Sequence, residues 1–383
     1  MNRRTFLSVM GALPAVAAAQ APTAPVSVER CRSYGAEIVP ALDRMFDRLG
    51  GLGKLVKGKT VAIKLNLISG PTRRLGHMPL GESHWPHPNL IGATMHLMAR
   101  AGAHRIRLLE CCWSSRPIPL EESLIEANWD LDVFTSAAPR VEFENTNWLG
   151  SGKRYSRLTV PGGGLVFPAY DLNHSYEDCD VFVSFAKFKE HSLTGVTLGM
   201  KNLFGMTPLS VYGSSSSADE PNEIFFGNRM PILHMGQRQP PRSSLGEVDP
   251  TSPRDDNYRL PRIIVDLVRA RPVHLTVLDG IMTLAGGQSP NHGNEPVSPG
   301  ILAAGNNVAT TSAVAMALMN YDPMAGRGDS PFGPCDNKLQ IAEQAGVGTR
   351  DLRRIEVVGT PIAEARFDFR ALRERREARK PDA

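Results

Sequence analysis

Apolar runs that fit strands alternate along this chain with stretches whose apolar residues recur at helical spacing. The strand-like runs lie at 60–65, 105–110, 180–186, 273–278, 301–304 and 355–358, and the helical stretches at 36–49, 88–101, 258–269 and 308–319. Strands that alternate with helices of this length form crossover units with parallel strands. The pattern predicts an α/β fold, a mostly parallel mixed sheet with helices on both faces.

Two regions depart from this alternation. Between about 140 and 170 the segments are shorter and rich in glycine, which predicts an antiparallel excursion. From about 206 to 261 the chain is rich in Pro, Ser and Gly with little periodicity, which predicts a long irregular insertion. We expect this insertion either to be disordered or to cover a site as a lid, with contacts to a substrate from Phe225, Phe226, His234 and Met235.

The amino terminus resembles a twin-arginine export signal. Arg3 and Arg4 precede an apolar stretch that reaches Ala19, and small residues at 17–21 offer a cleavage site. The stretch is shorter than the roughly twenty residues that a spanning helix needs, although a retained anchor is the alternative. The sequence therefore predicts a signal peptide at 1–21, the twin-arginine machinery as a partner, and a periplasmic or extracytoplasmic location.

Composition limits the remaining classes. With 383 residues and 42% hydrophobic content the chain can bury a full core, and no other segment is apolar enough to span a membrane. A formal charge of +4 argues against a nucleic-acid partner. We expect one domain over 30–365 and a charged tail over 366–383 that forms a solvated or frayed helix.

Common catalytic and metal-binding signatures are absent from the sequence. There is no Walker loop, HExxH, GxSxG or clean GxGxxG motif. The five cysteines include no CxxC pair, which fits neither a disulfide scaffold nor a structural zinc site, and we expect at most one disulfide. Cys111 and Cys112 follow Glu110 at a predicted strand end, where a thiolate is an alternative to the more common buried, inert thiol.

The strongest candidate site begins where the apolar run at 180–186 ends. This run suits a central strand that is covered on both faces. Lys187, Lys189 and His191 follow at alternate positions, so an extended backbone would project all three to one side. Lysine suits a phosphate or carboxylate, and imidazole binds a metal or transfers a proton. Solvated lysines and an ordinary hydrogen-bonded histidine are the alternative.

Lys201 and Asn202 continue this candidate site between Gly199 and Gly205. Glycines at such positions permit close approach of the backbone or positive φ angles. From residue types and positions we predict catalytic roles for His191 and Lys201. We predict substrate contacts from Lys187, Lys189 and Asn202.

A second cluster lies after the predicted strand at 60–65. Lys64 and Asn66 close this strand, and the following loop carries His77, Glu82, His84 and His87. Loops after adjacent strands converge at the carboxyl edge of an open sheet, so we expect Lys64 and Asn66 to contact the substrate. His84 and His87 are candidate metal ligands, although His-Pro before a helix is also a plain helix start. Glu110 and Asp279 are further candidate acids.

Segments spread over the chain resemble a known family. VAIKLNL at 61–67, the segment at 87–110, the lysine and histidine segment with KNLFG, VLDGI at 277–281 and the segment at 301–319 are similar to the family known as domain of unknown function 362. The resemblance implies a shared scaffold and site. Some members carry a ferredoxin-like cysteine run, which this chain lacks, so no iron–sulfur cluster is expected. Thr310, Thr311 and Ser312 stand where the family often has an acid.

A shorter resemblance concerns the candidate site alone. His191 and Lys201 lie ten residues apart before Asn-Leu-Phe-Gly, which is similar to the nickel-pincer lactate racemase family. In that family a histidine transfers protons and a lysine so placed carries the cofactor. The nickel-binding histidine expected after that lysine is not evident at a comparable distance, and His234 is a distant substitute.

Two functional hypotheses follow. In the first, the chain is an exported enzyme, dependent on a transition metal or another cofactor, that acts on a small anionic substrate at the lysine and histidine cluster. In the second, it is a periplasmic anion-binding or accessory protein without turnover. The sequence specifies neither the substrate nor the reaction.

The export prediction is tested by replacing Arg3 and Arg4 with lysine. We expect the double variant to accumulate in the cytoplasm as full-length precursor, because the twin-arginine pair is what the export machinery reads. Fractionation and immunoblotting measure the precursor and the processed form. Unchanged export of the double variant would contradict the assignment.

Overall fold

The computed structural model describes residues 20–113, 118–221, 227–291 and 293–378. Within these residues the strands are β1 Val26–Arg30, β2 Thr60–Lys64, β3 Arg105–Glu110, β4 Val141–Asn145, β5 Ser156–Thr159, β6 Ala169–Leu172, β7 Val181–Lys187, β8 Glu190–His191, β9 Gly195–Val196, β10 Leu275–Gly280, β11 Thr283–Ala285, β12 Glu295–Val297, β13 Ile301–Gly305 and β14 Val357–Gly359. The helices are α1 Ile38–Arg48, α2 Leu52–Val56, α3 Leu80–Ser83, α4 Pro88–Arg100, α5 Leu120–Glu126, α6 Asp132–Thr135, α7 Leu198–Asn202, α8 Leu209–Tyr212, α9 Asp256–Ala270, α10 Val308–Leu318, α11 Lys338–Gln344, α12 Ile362–Ala365 and α13 Phe369–Ala378.

Eight strands form one mixed sheet in the order β14-β1-β13-β10-β7-β2-β3-β4. From β10 to β4 every neighbouring pair is parallel, and β13 runs antiparallel to both β10 and β1. All seven residues of β7 are buried, as expected for a strand with a parallel partner on each side and cover on each face. The predicted fold class and the central position of β7 are confirmed.

Apolar side chains of β7 alternate between two hydrophobic cores, one on each face of the sheet. Phe182 and Ala186 pack into the core that includes residues of α7, α9 and α10. Val183 and Phe185 pack into the core that includes residues of α1 and α4. This alternation follows from the two-residue period of a strand. Each face of the sheet is therefore covered by helices.

The region at 140–170 divides between two sheets. β4 joins the edge of the main sheet, parallel to β3, whereas β5 and β6 form the antiparallel pair that the short segments predicted. The insertion is largely irregular in its described part, with α8, a π-helical turn at Met230–His234, and α9 already beginning at Asp256. The Asp255 carboxylate caps α9 by accepting a hydrogen bond from the Tyr258 amide, which explains the early start.

Both ends of the folded region extend beyond the predicted domain limits. At the amino end β1 lies between β13 and β14 in the main sheet. At the carboxyl end the predicted charged tail contains the helix α13, which packs on the rest of the protein through the buried Phe369 and through an ion pair between Arg376 and Glu190 at 2.6 Å. Residues 1–19 of the predicted signal peptide, together with Phe225 and Phe226, lie outside the described residues.

In the described ranges no helix combines the length and apolar character needed to cross a membrane.

A buried ion pair joins the carboxyl ends of β7 and β10. The Lys187 ammonium lies 2.9 Å from an Asp279 carboxylate oxygen, and neither side chain is exposed. Lys187 also donates to the Gly81 carbonyl and to the Tyr34 hydroxyl, which itself donates to Asp279. The His87 amide donates to the same carboxylate oxygen that Lys187 contacts, so the pair is surrounded by hydrogen bonds. A buried charge pair is tolerated when its members have several hydrogen-bond partners such as these.

Removing one member of this pair should destabilise the protein strongly. We expect Lys187→Met or Asp279→Asn alone to lower the free energy of unfolding by about 3–5 kcal/mol, because each leaves a buried charge without its partner. The double variant should lose clearly less than the sum of the single losses. Urea unfolding followed by circular dichroism measures all four proteins. Additive losses would show that the two charges do not depend on one another.

Candidate functional site

A pocket of about 310 Å³ opens beside the carboxyl ends of β2, β3 and β7. Its wall also includes the hairpin of β8 and β9, the helix α7, and part of the insertion near the π-helical turn. Of the nine residues predicted to be catalytic, substrate-binding or metal-binding, six line this pocket: Lys64, Asn66, Lys189, His191, Lys201 and Asn202. The two predicted clusters therefore meet, as expected for loops that follow adjacent parallel strands.

Three other candidate residues do not line the pocket. Lys187 is held in the ion pair with Asp279, so the expected convergence of Lys187, Lys189 and His191 on one side is not observed. His87 stacks on the Tyr34 ring at 3.8 Å, and its Nδ1 caps α4 by accepting from the Asn89 amide, which is the plain helix start. Burial lowers the pKa of His87 to about 4.

His84 is the remaining candidate metal ligand. It is fully buried, its Nδ1 lies 3.0 Å from the Ser83 hydroxyl, and burial with the charge of Lys189 lowers its pKa to about 2. Its Nε2 has no hydrogen-bond partner in the described part of the chain. No group of three or more His, Cys, Asp or Glu residues among the described residues could hold a metal ion. The metal role of His84 and His87 remains a prediction.

Lys64 forms the second buried ion pair of this sheet edge. Its ammonium lies 2.6 Å from one Glu110 oxygen and also donates to the Leu65 carbonyl. The other Glu110 oxygen accepts the Leu67 amide. A Cβ at Gly205 would lie 2.9 Å from this ammonium, so glycine is what permits the approach. The pair neutralises the one carboxylate among the described pocket-lining residues.

The Phe204 ring gathers three basic groups at one wall of the pocket. The Lys201 ammonium lies 4.5 Å from the ring centroid, the Arg229 guanidinium carbon lies 5.8 Å from it, and the His234 ring packs edge-on at 5.4 Å. In the described ranges Lys201 has no carboxylate partner. Burial, with repulsion from Arg229, Lys338 and Lys64, lowers the pKa of Lys201 to about 7. Burial and the charge of Lys201 lower the pKa of His234 to about 3.

Lys189 and His191 also line the pocket. The Lys189 ammonium donates to the His84 carbonyl at 2.6 Å, and burial with repulsion from Lys187 and Lys201 holds its pKa well below the usual range. His191 Nδ1 accepts the Leu193 amide at 3.1 Å, which defines the neutral tautomer as the one protonated at Nε2. Burial and the charge of Lys201 keep the pKa of His191 well below its usual range. A neutral imidazole therefore faces the lysines.

Asn202 anchors α7 to the two central strands. Its amide nitrogen donates to the Lys64 carbonyl, the Ser184 hydroxyl and the Phe185 carbonyl. This network orients the side chain, and its Oδ1 is buried without a partner among the described residues, as is the Oδ1 of Asn66. Such orphaned acceptors are costly unless a ligand or water donates to them. The site therefore presents acceptors as well as basic groups.

Sequence reasoning missed two groups that shape the site. Arg229 comes from the insertion and holds its position by donating to the Thr207 carbonyl and to the Cys111 sulfur. Lys338 starts α11 and donates to the Thr194 and Val196 carbonyls at 2.8 Å, beneath the hairpin that carries His191. Neither lies near the predicted clusters in sequence. A lone lysine at a helix start and a lone arginine in an irregular segment offered no signal.

The hairpin of β8 and β9 is also held by the carboxyl-terminal helix. Glu190, next to His191, accepts hydrogen bonds from the Tyr321 hydroxyl, the Gly286 amide and the Arg376 guanidinium. These partners come from three separate parts of the chain, so the hairpin has little freedom to move.

The five cysteines form no disulfide. Cys111 lies at the pocket wall, and burial raises the pKa of its thiol.

Fold and pocket together define an α/β protein with a basic pocket at the carboxyl edge of its central strands. The family model described as "Domain of unknown function (DUF362)" matches residues 61–317, and the chain belongs to this family, as its sequence resemblance predicted. Thylakoid-associated protein sll1697 of Synechocystis sp. is 26% identical over 301 residues, which cover 78% of this chain and 75% of that protein.

Two solved structures show distant similarity. The lactate racemase apoprotein of Thermoanaerobacterium thermosaccharolyticum matches with a TM-score of 0.39 and 12% identity, over 72% of this chain and 54% of that one. A protein from Thermotoga maritima matches with a TM-score of 0.35 and 15% identity, over 68% of this chain and 54% of that one. At these values neither similarity bears on the site.

The charge of Arg229 should control the pKa of Lys201. We expect Arg229→Met to raise that pKa above about 7, because it removes a repulsive charge while burial remains. The matched control, Arg229→Lys, keeps a charge and should leave the pKa near about 7. Competitive acetylation of the folded protein across pH, read by peptide mass spectrometry, measures it. An unchanged Lys201 pKa in the Met variant would contradict the arrangement described.

Proposed function

We propose that this protein is an enzyme that binds a small, multiply charged anion in the pocket and uses His191 in proton transfer or oxyanion stabilisation. The observation that carries the proposal is an imbalance of charge. Lys189, Lys201 and Arg229 line the described pocket, and its one carboxylate, Glu110, is already neutralised by Lys64. Basic groups without counter-charges favour a phosphate or a carboxylate as ligand.

Burial makes this recognition depend on protons. Without a ligand, burial and mutual repulsion lower the pKa values of Lys189 and Lys201. A bound anion favours their charged forms and raises both pKa values. Binding should therefore take up protons at pH values above the pKa of the free site. Affinity should fall as pH rises through the same range, because the ligand must then recruit protons from solution.

His191 has the features of a neutral acid–base group. Its Nδ1 is occupied by the Leu193 amide, which leaves the Nε2 proton to donate to an oxygen of a bound ligand. A neutral imidazole of low pKa stabilises a developing oxyanion without itself carrying a charge. The orphaned Oδ1 atoms of Asn66 and Asn202 add acceptors for a ligand hydroxyl or amine. Binding and proton chemistry thus meet in one cavity.

We also propose that the protein is exported and that it receives a cofactor before export. The twin-arginine pattern at the amino terminus supports a role outside the cytoplasm, and export in the folded state suits a protein that receives a cofactor before it leaves. The described pocket-lining residues offer His191 and His234 as imidazoles, surrounded by basic groups, which is a poor donor set for a divalent metal. The roles proposed for His191, Lys189 and Lys201 do not require a metal.

Titration with inorganic pyrophosphate tests the binding site. We expect binding with proton uptake between about pH 7 and 9, and an affinity that falls by up to about tenfold per pH unit there, because the pKa of Lys201 rises on binding. Calorimetry in buffers of different ionisation enthalpy measures both quantities. Lys189→Met and Lys201→Met should weaken binding, whereas Lys153→Met, on the exposed surface, should not.

The same proteins distinguish an enzyme from a binding protein. Wild type and His191→Ala are incubated with a small-metabolite extract, and anionic metabolites are followed by mass spectrometry. We expect wild type alone to consume a metabolite, while His191→Ala still binds pyrophosphate. Retained binding with no consumption by either protein would favour the non-catalytic alternative, and absence of pyrophosphate binding would remove the proposal.

A further inference from the structure

We infer that Lys201 is a nucleophilic amine that forms a Schiff base with a carbonyl compound carrying an anionic group. The inference rests on the proposed function for the anionic part of the ligand and adds a class of substrate, the small oxo acids and their phosphorylated counterparts. Its starting point is the placement of Lys201 on the Phe204 ring at the pocket wall, where the described residues offer its ammonium no carboxylate and no hydrogen-bond acceptor.

The contrast among the pocket lysines supports this assignment. Lys64 is paired with Glu110, and Lys189 donates to the His84 carbonyl. Lys338, below the site, donates to two backbone carbonyls. Lys201 alone among these four has an ammonium without such a partner in the described ranges. A lysine desolvated beside other basic groups loses its proton readily, which is the known way to make an amine nucleophilic near neutral pH.

The position of Lys201 is fixed although its amine is unpaired. The next residue, Asn202, ties α7 to β2 and β7 through three hydrogen bonds. At the start of the helix Leu198 adopts a positive φ of 49°, a conformation that a branched side chain seldom takes. Strain of this kind persists where the surroundings determine it and is common at functional sites. The amine is therefore presented from a rigid support.

The neighbouring groups suit each part of a carbonyl substrate. Arg229, whose guanidinium shares the Phe204 ring, and Lys189 are placed for the anionic group. The neutral His191, with its Nε2 proton, is placed to hydrogen-bond the carbonyl oxygen as negative charge develops on it. Charged or titratable groups that face Lys201 come from every wall: Lys64, Glu110, Lys189, His191, Arg229, His234 and Lys338.

Formation of the imine requires neither an oxidant nor a reductant. The neutral Nζ adds to the carbonyl carbon, a C–N bond forms, and the π electrons move to oxygen. One proton passes from nitrogen to that oxygen and gives a carbinolamine. Its hydroxyl then takes up the remaining proton of the nitrogen, through solvent, and leaves as water while the C=N bond forms. One amine and one carbonyl thus yield one imine and one water, and a proton from solvent gives the iminium ion. An iminium carbon is an electron sink for proton abstraction or bond cleavage next to it.

Reductive trapping tests the inference on the full chain. The protein is incubated near pH 7.5 with pyruvate, and separately with glyoxylate, in the presence of cyanoborohydride, whose hydride reduces the iminium to a stable secondary amine. Peptide mass spectrometry compares Lys201 with the exposed Lys54 and Lys153 as internal references. We expect at least about tenfold faster labelling of Lys201, because a far larger fraction of its amine is neutral at this pH.

Three further readouts make the result decisive. Labelling of Lys201 should level off above about pH 7, while that of Lys54 keeps rising, and pyrophosphate should block Lys201 alone. Lys201→Arg should abolish the fast site without changing the circular dichroism spectrum. If pyrophosphate binds but neither carbonyl probe labels Lys201 faster than the reference lysines, the Schiff-base inference fails and the anion site stands. If pyrophosphate does not bind either, both proposals fail.

Discussion

Two buried ion pairs join four neighbouring strands at the edge of the sheet where the pocket lies. Lys187 with Asp279 joins β7 to β10, and Lys64 with Glu110 joins β2 to β3. A lysine in so dry an environment keeps its charge only with a close partner, so these pairs and their hydrogen bonds define the geometry of the sheet edge. Because their charges cancel, the electrostatic character of the pocket is left to the basic groups that have no such partner.

The basic groups without a carboxylate partner raise the free energy of the empty site, and a bound anion would lower it. The described lining of the pocket offers no free carboxylate, so burial, together with repulsion of Lys201 by Arg229 and of Lys189 by Lys201, lowers the lysine pKa values. An acidic side chain among these basic groups would make the empty site more stable. This arrangement is the basis of the proposed anion site, in which the ligand supplies the missing negative charge.

Much of the fold could be predicted because it depends on local patterns. The apolar run before Lys187 and the alternation of strands and helices predict the central strand, the covered faces and the meeting of loops at one edge. The fate of Lys187 could not be predicted, since its partner Asp279 lies 92 residues away and only tertiary packing brings them together. Arg229 was missed for a related reason: in a segment without periodicity, nothing in the sequence indicates which surface the chain will cross.

The contact between Glu190 and the carboxyl-terminal helix has a consequence for the order in which the protein acquires its function. Arg376 is separated from Glu190 by 186 positions, and the ribosome completes the hairpin that carries His191 long before it adds this clamp. A growing chain thus holds most of its binding groups without the support that fixes them. The hairpin therefore gains its full set of contacts only after Arg376 has been added, and a chain that stops before this residue carries His191 and Glu190 without that ion pair.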